Sequence, residues 1–482
     1  MYKAYITALT NVRKHPNADR LLLADVFGNT VCVSTDYTEG QVGIYFPTDG
    51  QLSVEFAEKN NLLRKKDDAG NNIGGYMDPD KRNVTAIRLR GEKSDGLFLP
   101  MSALNYCYAH GDASIELRVG DVIDGVVNGH DICTKYIPRT NHRQGHVSEG
   151  NRTRKKRVAT APLFAEHADT EQLAYNLGAF KAGDEIEITL KMHGTSQRTG
   201  YLPVFKGYKR TFFDWLFRRE GKPIYDWGYV SGTRRVVLEN YEGGFYGDNT
   251  FREQHSKMFE GKLNKGETVY YEVVGFTTSG APIMGSVDNK KMQDKELIKQ
   301  YGATTTFSYG CSPIATPALI KAPEMEERVP ATPQSDIYVY RMTMTNEDGF
   351  VVEYTPDFMR YRCEQMGVKC VPVFFKGTAP QFAEVMYVDK NENDRPDEGE
   401  IAYTRKMDAG EWVMKMAEQF YDGTDPIGKT HIREGVVVRI LNRPKFAAYK
   451  HKNFAFKVLE GIAKVNAEAP DMEEAQDVSE NT

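Results

Sequence analysis

Along the first part of the chain, apolar and polar residues alternate in short runs. Leu21-Leu22-Leu23-Ala24-Asp25-Val26 and Val31-Cys32-Val33 are separated by a glycine-containing turn. Period-two alternation with frequent turn residues predicts strands, and few stretches here carry the helical period. Residues 1–137 therefore read as a small all-β module, a barrel. The charged, Gly/Asn-rich stretch from Lys59 to Arg82 suits an exposed excursion between its strands. From residue 159 to 465, strand-like runs mix with helical stretches such as Ala409 to Phe420, which predicts a second domain of α+β type with antiparallel sheets. Residues 138–158 join the two and hold Arg139, Arg143, Arg152, Arg154, Lys155, Lys156 and Arg157 with almost nothing apolar. Such a basic linker is either a solvated tether or a contact for an RNA backbone through residues such as Arg154 and Lys155. Residues 466–482 have no Lys or Arg and read as an acidic, disordered tail.

Composition narrows the setting. With 482 residues, 40% of them hydrophobic and 27% charged, the chain can build sizeable cores but is too long for one ordinary domain. Its 62 Lys and Arg against 67 Asp and Glu give a net charge of -5, so any phosphate-binding surface must be local. The six cysteines form no CxxC pair, which points to reduced thiols and no structural zinc. No stretch approaches the roughly 20 apolar residues of a membrane span, and the N-terminus lacks a signal-peptide core. A cytoplasmic protein without a membrane partner is expected.

Chemistry concentrates in the second domain. In Glu185-Ile186-Glu187-Ile188-Thr189-Leu190-Lys191 the apolar residues occupy every second position, so Lys191 leaves a half-buried strand on its polar face. Gly194, three residues on, removes a side chain where the chain turns and a ligand can approach the backbone. Alone, this pattern describes any surface lysine. Two further runs each carry a carboxylate among apolar residues, Tyr271-Glu272-Val273-Val274 and Arg433-Glu434-Gly435-Val436-Val437-Val438. Either is accounted for by a salt bridge or by a metal ion. Lys450 and Lys452 stand two apart, on one face of a strand, and suit an anionic partner.

These segments, in this order, resemble the covalent nucleotidyltransferases, the superfamily of ATP-dependent ligases and mRNA-capping enzymes, and look most like its RNA ligases. The family's lysine and glycine match Lys191 and Gly194, with His193 before the glycine as in RNA ligases. Its later carboxylates match Glu272 and Glu434, and its Lys-x-Lys pair matches Lys450 and Lys452. Ile337-Tyr338-Val339-Tyr340-Arg341 resembles the segment whose aromatic ring stacks on adenine, with Tyr340 chosen and Tyr338 the alternative. Arg341 stands where many ligases have an acidic residue. The basic residue after the nucleophile maps to Arg234 or to Arg235, and the stretch between Glu272 and Glu434 carries an insertion. Val12 to Leu21, Gly43 to Pro47 and Ala86 to Leu97 are similar to OB modules, including the N-terminal OB domain of one RNA-ligase branch. Lys14, Arg88 and Arg90 are its candidate RNA contacts, the two arginines expected on one strand face.

The resemblance implies an OB-fold barrel ahead of an α+β, ATP-grasp-like adenylyltransferase domain. Lys191 would take AMP from ATP, with His193, Gly194, Arg234, Glu272, Tyr340, Lys450 and Lys452 around the nucleotide. Glu434 and Glu272 would hold Mg²⁺ or Mn²⁺. AMP would pass to an RNA 5′-phosphate, and a 3′-hydroxyl would then seal the strand, at nicks or breaks in duplex RNA, in a monomeric enzyme. Free lysine has a pKa of about 10.4, and like charge from Lys450 and Lys452 is expected to favour the neutral Lys191 amine. A DNA ligase, a capping guanylyltransferase and a non-catalytic RNA-binding protein are the competing readings.

Overall fold

The structure is a computed structural model that describes residues 2–65, 73–108, 117–137, 159–217, 221–238, 240–241, 246–247, 249–292, 294–322, 325–329, 331–380, 383–385 and 405–465. The linker with Arg154 and Lys155, and the tail after 465, lie outside them. Among the described residues, no helix is long and apolar enough to cross a membrane. The chain forms two compact units.

The first unit takes in Met1–Arg139 together with Val287–Thr304 and Phe454–Ala467. The alternating runs fold as expected: Leu21–Val26 pairs with Asn29–Ser34, and Ala4–Ala8 with Val42–Phe46. The ladders make a four-stranded sheet, a three-stranded sheet and two-stranded ribbons, and they do not close into one ring among the described residues. Ile6, Ile44, Phe46, Leu52 and Phe56 fill the core. The two later segments, read from the sequence as part of the second domain, belong here for packing reasons. The helix Phe454–Val465 buries Phe456 and Leu459 and packs on the strand Ala86–Leu89. Lys457 pairs with Asp95 at 2.6 Å, and Arg88 with Asp294 at 2.7 Å.

Among the described residues, the second unit holds two larger sheets besides two-stranded ribbons. One runs in the order Glu171–Gln172, Ala447–Lys452, Gly435–Ile440, Glu185–Lys191, Val373–Thr378. Ile186, Ile188, Val436, Val438 and Ile440 leave one face of it and are covered by Val413 and Ala417 of the helix Ala409–Glu418. That helix begins where the sequence places it because the Asp408 side chain caps it, accepting from the Glu411 N–H. The other sheet centres on Glu267–Gly275, buried throughout, flanked by Thr195–Lys209 and Ser335–Thr345. Lys222–Gly232 pairs with Thr195–Lys209 along its whole length.

Candidate active site

The strand ending at Lys191 belongs to the first of these sheets and the strand beginning at Thr195 to the second. Met192, His193 and Gly194 alone carry the chain between them. Gly194 makes that passage against the Glu272 strand: a Cβ on it would stand 2.5 Å from the Val273 carbonyl oxygen and 2.8 Å from Glu272 Cγ. Lys191 pairs with Gly435 across the ladder, and Gly435 with Lys452. At Gly435 the chain has φ +147°, and a Cβ would stand 2.1 Å from the His451 carbonyl oxygen, so only glycine allows this approach.

The register brings two ammonium groups to one carboxylate. Glu434 is 1% exposed, and its Oε1 lies 2.6 Å from Lys191 Nζ and 3.4 Å from Lys452 Nζ. Its Oε2 is buried without a hydrogen-bond partner among the described residues, and His193 Nδ1 is 3.7 Å from it. The carboxylate thus sets a negative charge against Lys191, and Lys452 brings a second positive charge to the same oxygen.

Beneath the turn lies part of the insertion that the sequence left without a role. The His193 N–H donates to Tyr309 Oη at 2.7 Å, and the His193 ring meets Phe307 edge-on at 4.6 Å. Phe307 and Tyr309 both rest on His431. Burial raises the Tyr309 hydroxyl well above its ordinary pKa and lowers His431 to about 4, so both are neutral at pH 7. Tyr309 itself is held at φ 49°, a left-handed conformation costly for a tyrosine.

A cleft of about 1000 Å³, open to solvent, is lined by Lys191, Thr189, Val437 and Lys450 from the first sheet and by Ser196, Glu272 and Tyr340 from the second. Arg234, His167 and Phe446, and the polar residues Glu187, Arg360 and Arg439, complete its lining. Tyr340 reaches the cleft through a β-bulge: Arg341 pairs with Tyr270 and Val339 with Tyr271, leaving Tyr340 as the extra residue. Its hydroxyl meets Ser196 Oγ at 2.8 Å, and its ring lies 5.1 Å from His167. Burial, and then Arg341 and Arg234, hold the His167 pKa well below its ordinary value. His167 Nδ1 is buried without a partner among the described residues. An aromatic slot beside Lys191, Lys450 and Arg234 fits a nucleotide, rings against the base and cations against phosphate.

Donors available to a cation include carboxylate oxygens and the ring nitrogen of His193 beside Glu434. Glu434 Oε2, which lacks a hydrogen-bond partner among the described residues, and the cleft-facing Glu272 fit a hard ion such as Mg²⁺ or Mn²⁺.

No family model matches this sequence, and no curated protein does. Solved structures similar to it include Naegleria gruberi RNA ligase with PPi, at 17% identity and a TM-score of 0.49, covering 94% of this chain and 97% of that one. A mutant of that ligase with ATP and Mn aligns at 17% identity and 0.48, covering 95% and 97%. A further mutant with AMP and Mn aligns at 16% identity and 0.49, covering 94% and 97%. Likeness at this level assigns neither activity nor ligand to this chain.

Of the residues singled out in the sequence, Lys191, Arg234, Glu272, Tyr340 and Lys450 line one cleft. Glu434, Lys452 and His193 gather at Lys191 rather than on the lining. Arg234 and Arg235 both pair with Asp169, but only Arg234 faces the cleft. Tyr338 is buried and pairs with Glu272 in the ladder. Arg341 does not leave its site without a carboxylate, since its guanidinium is gripped by Glu353 and lies over the Tyr270 and Phe446 rings. In the first unit, Arg88 is held by Asp294, and Arg90 sits past the strand end at φ 47°, so the two do not share a strand face. Lys14 is exposed at the end of Thr10–Lys14.

Sequence reasoning missed the supports. Arg252, fully buried, donates to Thr195 Oγ1 at 2.6 Å and to the Ser196 carbonyl at 3.1 Å. Arg198, 1% exposed, donates to the carbonyls of Thr233 and Phe164 and so fixes the loops bearing Arg234 and His167. Arg198 lies in the polar run Thr195 to Gly200 and carried no local signal, and like Arg252 and Tyr309 it meets the site through long-range contacts.

Proposed function

We propose that this chain is an ATP-dependent RNA ligase. The observation that carries the reading is the convergence of Lys191 and Lys452 on buried Glu434, at the edge of a cleft lined by Lys450, Arg234, Glu272 and Tyr340. The Lys191 amine attacks the α-phosphorus of ATP, the bond to pyrophosphate breaks, and AMP remains on Nζ. The oxygen of an RNA 5′-phosphate then displaces Lys191 to form a 5′-5′ pyrophosphate, and a 3′-hydroxyl displaces AMP to seal the strand. Lys450 and Arg234 bind and orient the phosphates, with Lys452 and His193 at the lysine end. Charge that develops on them meets groups already in place. Tyr340 and His167 hold the adenine, and Glu434 takes the charge of Lys191 in the resting state. A divalent ion held by Glu434 and Glu272 would supply Lewis acidity at the phosphates.

The first unit is proposed as an OB-type module that grips duplex RNA beside a nick or break, in a monomeric cytoplasmic enzyme. Its short antiparallel strands and the exposed Lys14 support this. Incubation with α-labelled ATP and Mg²⁺, followed by denaturing electrophoresis, is expected to leave label on the protein, and Lys191→Ala to leave none. Labelling by GTP alone would shift the reading to a capping enzyme. Sealing of DNA nicks but not RNA nicks would make it a DNA ligase.

A further inference from the structure

Past Gly200 the strand Thr195–Lys209 no longer pairs with Glu267–Gly275 and continues with Lys222–Gly232 as a two-stranded ribbon. Beyond the ribbon comes a single helical turn, Phe212–Leu216. On it and just after it, Phe212, Phe213, Trp215, Leu216 and Phe217 are all between 54% and 69% exposed. Among the described residues these side chains join none of the hydrophobic core clusters, and large apolar groups exposed together mark a contact with something outside the chain. Nor is the turn loosely built. Thr211 and Asp214 form a reciprocal capping box, with the Asp214 N–H donating to Thr211 Oγ1 and the Thr211 N–H donating to Asp214 Oδ2 at 2.9 Å. Phe212 packs against both Phe213 and Trp215, with ring centroids 6.0 Å apart in each pair.

The charge around these rings decides the partner. Lys206, Lys209, Arg210 and Lys222 are exposed on the same ribbon, against Asp214 and Asp226. They interleave with aromatic residues along the chain, in Phe205-Lys206-Gly207-Tyr208-Lys209-Arg210-Thr211-Phe212-Phe213. Rings on which bases stack, close to cations that track a phosphate backbone, suit a single strand. The ribbon is also rooted in the cleft: its strands reach Thr195, beside the Lys191 turn, and Gly232, beside Arg234.

We propose that the ribbon and its aromatic turn bind unpaired RNA, holding a single-stranded stretch of the substrate whose end is to be joined. This rests on the RNA-ligase reading and names where the strand is held outside the nucleotide cleft. The test uses the full chain and a fluorescently labelled, 5′-phosphorylated, mixed-sequence single-stranded oligoribonucleotide. The variant F213S/W215S changes only exposed side chains, so folding is expected to be retained, and thermal melting checks it. Its Kd for the oligonucleotide is expected to rise about tenfold or more, while lysine labelling by ATP, which needs no RNA, stays at the level of the unaltered chain. K209A/R210A is expected to lower the slope of log Kd against log salt by roughly 1.4, the amount set by two phosphate contacts on a single strand. Unchanged RNA affinity in the folded F213S/W215S protein overturns the proposal. So does loss, in that variant, of binding to phosphatidylserine vesicles with RNA binding intact, which would make the turn a membrane contact. If labelling by ATP fails in the unaltered chain while the RNA results hold, the ligase reading falls and the RNA site stands.

Discussion

A side chain at position 194 has nowhere to go. The nearest obstacle is a backbone oxygen inside a ladder, and the next is the stem of Glu272. Gly194→Ala must push the Lys191 turn off the Glu272 strand, at a cost of about 1–3 kcal/mol. The expected result is a melting point lower by several degrees and label transfer from ATP slowed about tenfold or more in single-turnover assays. Tyr309→Phe tests the support on the other side. It removes the Tyr309 acceptor from the half-buried His193 N–H, a loss of about 1 kcal/mol. Slower labelling together with a lower melting point is expected, and labelling at the unaltered rate would show that the turn does not depend on this bond. Asp425 gives the pH dependence. It is fully buried, and burial pushes its carboxyl up to about 7 from 3.8. The folded chain holds this proton more tightly than the unfolded one, so its contribution is complete below the unfolded value and is lost as pH rises through about 7. Thermal melting measured across that window should fall with pH for the unaltered protein and fall less for Asp425→Asn.

Among the elements, the helix Pro356–Met366 braces the cleft. Arg360 reaches Glu187 on the Lys191 strand at 2.8 Å, and two residues later Arg362 reaches Glu267 on the Glu272 strand at 2.8 Å. One helix thus grips both sheets. Against burial, which would raise it, Arg362 holds the Glu267 carboxyl below its usual range. Arg360→Met would leave Glu187, 3% exposed, without this cation. A loss of about 2–3 kcal/mol is expected, below that for a fully buried pair because Arg360 is 31% exposed, and denaturant titration measures it. Adding Glu187→Gln should restore part of the loss. None of this was legible in the sequence, where Glu187 was simply the polar partner in an alternating strand. What was legible followed from local period: the Lys191 strand, the Glu272 strand and the Ala409 helix lie where the pattern puts them. The bulge at Tyr340 was hidden, because one extra residue leaves no trace in a run of β-branched and aromatic residues.

Over the whole molecule, the site was readable from its members but not from its framework. Lys191, Glu272, Glu434, Lys450 and Lys452 are spread over 262 positions, and sheet register together with the turn at 192–194 joins them. The return of Val287–Thr304 and Phe454–Ala467 to the first unit escaped the sequence for the same reason, since contact between distant segments has no local period. The three-residue passage from Lys191 to Thr195 also has a consequence for how such a chain can change in length. Strand side chains repeat every two residues, so one residue added between His193 and Gly194 would turn Ser196 away from Tyr340 or carry Lys191 away from Glu434. Insertions there should abolish labelling by ATP, while insertions at the far end of the ribbon, after Leu216, should leave it intact. In the vocabulary of descent, the turn is a place where only substitutions survive, and the ribbon's end is a place where lineages are free to lengthen.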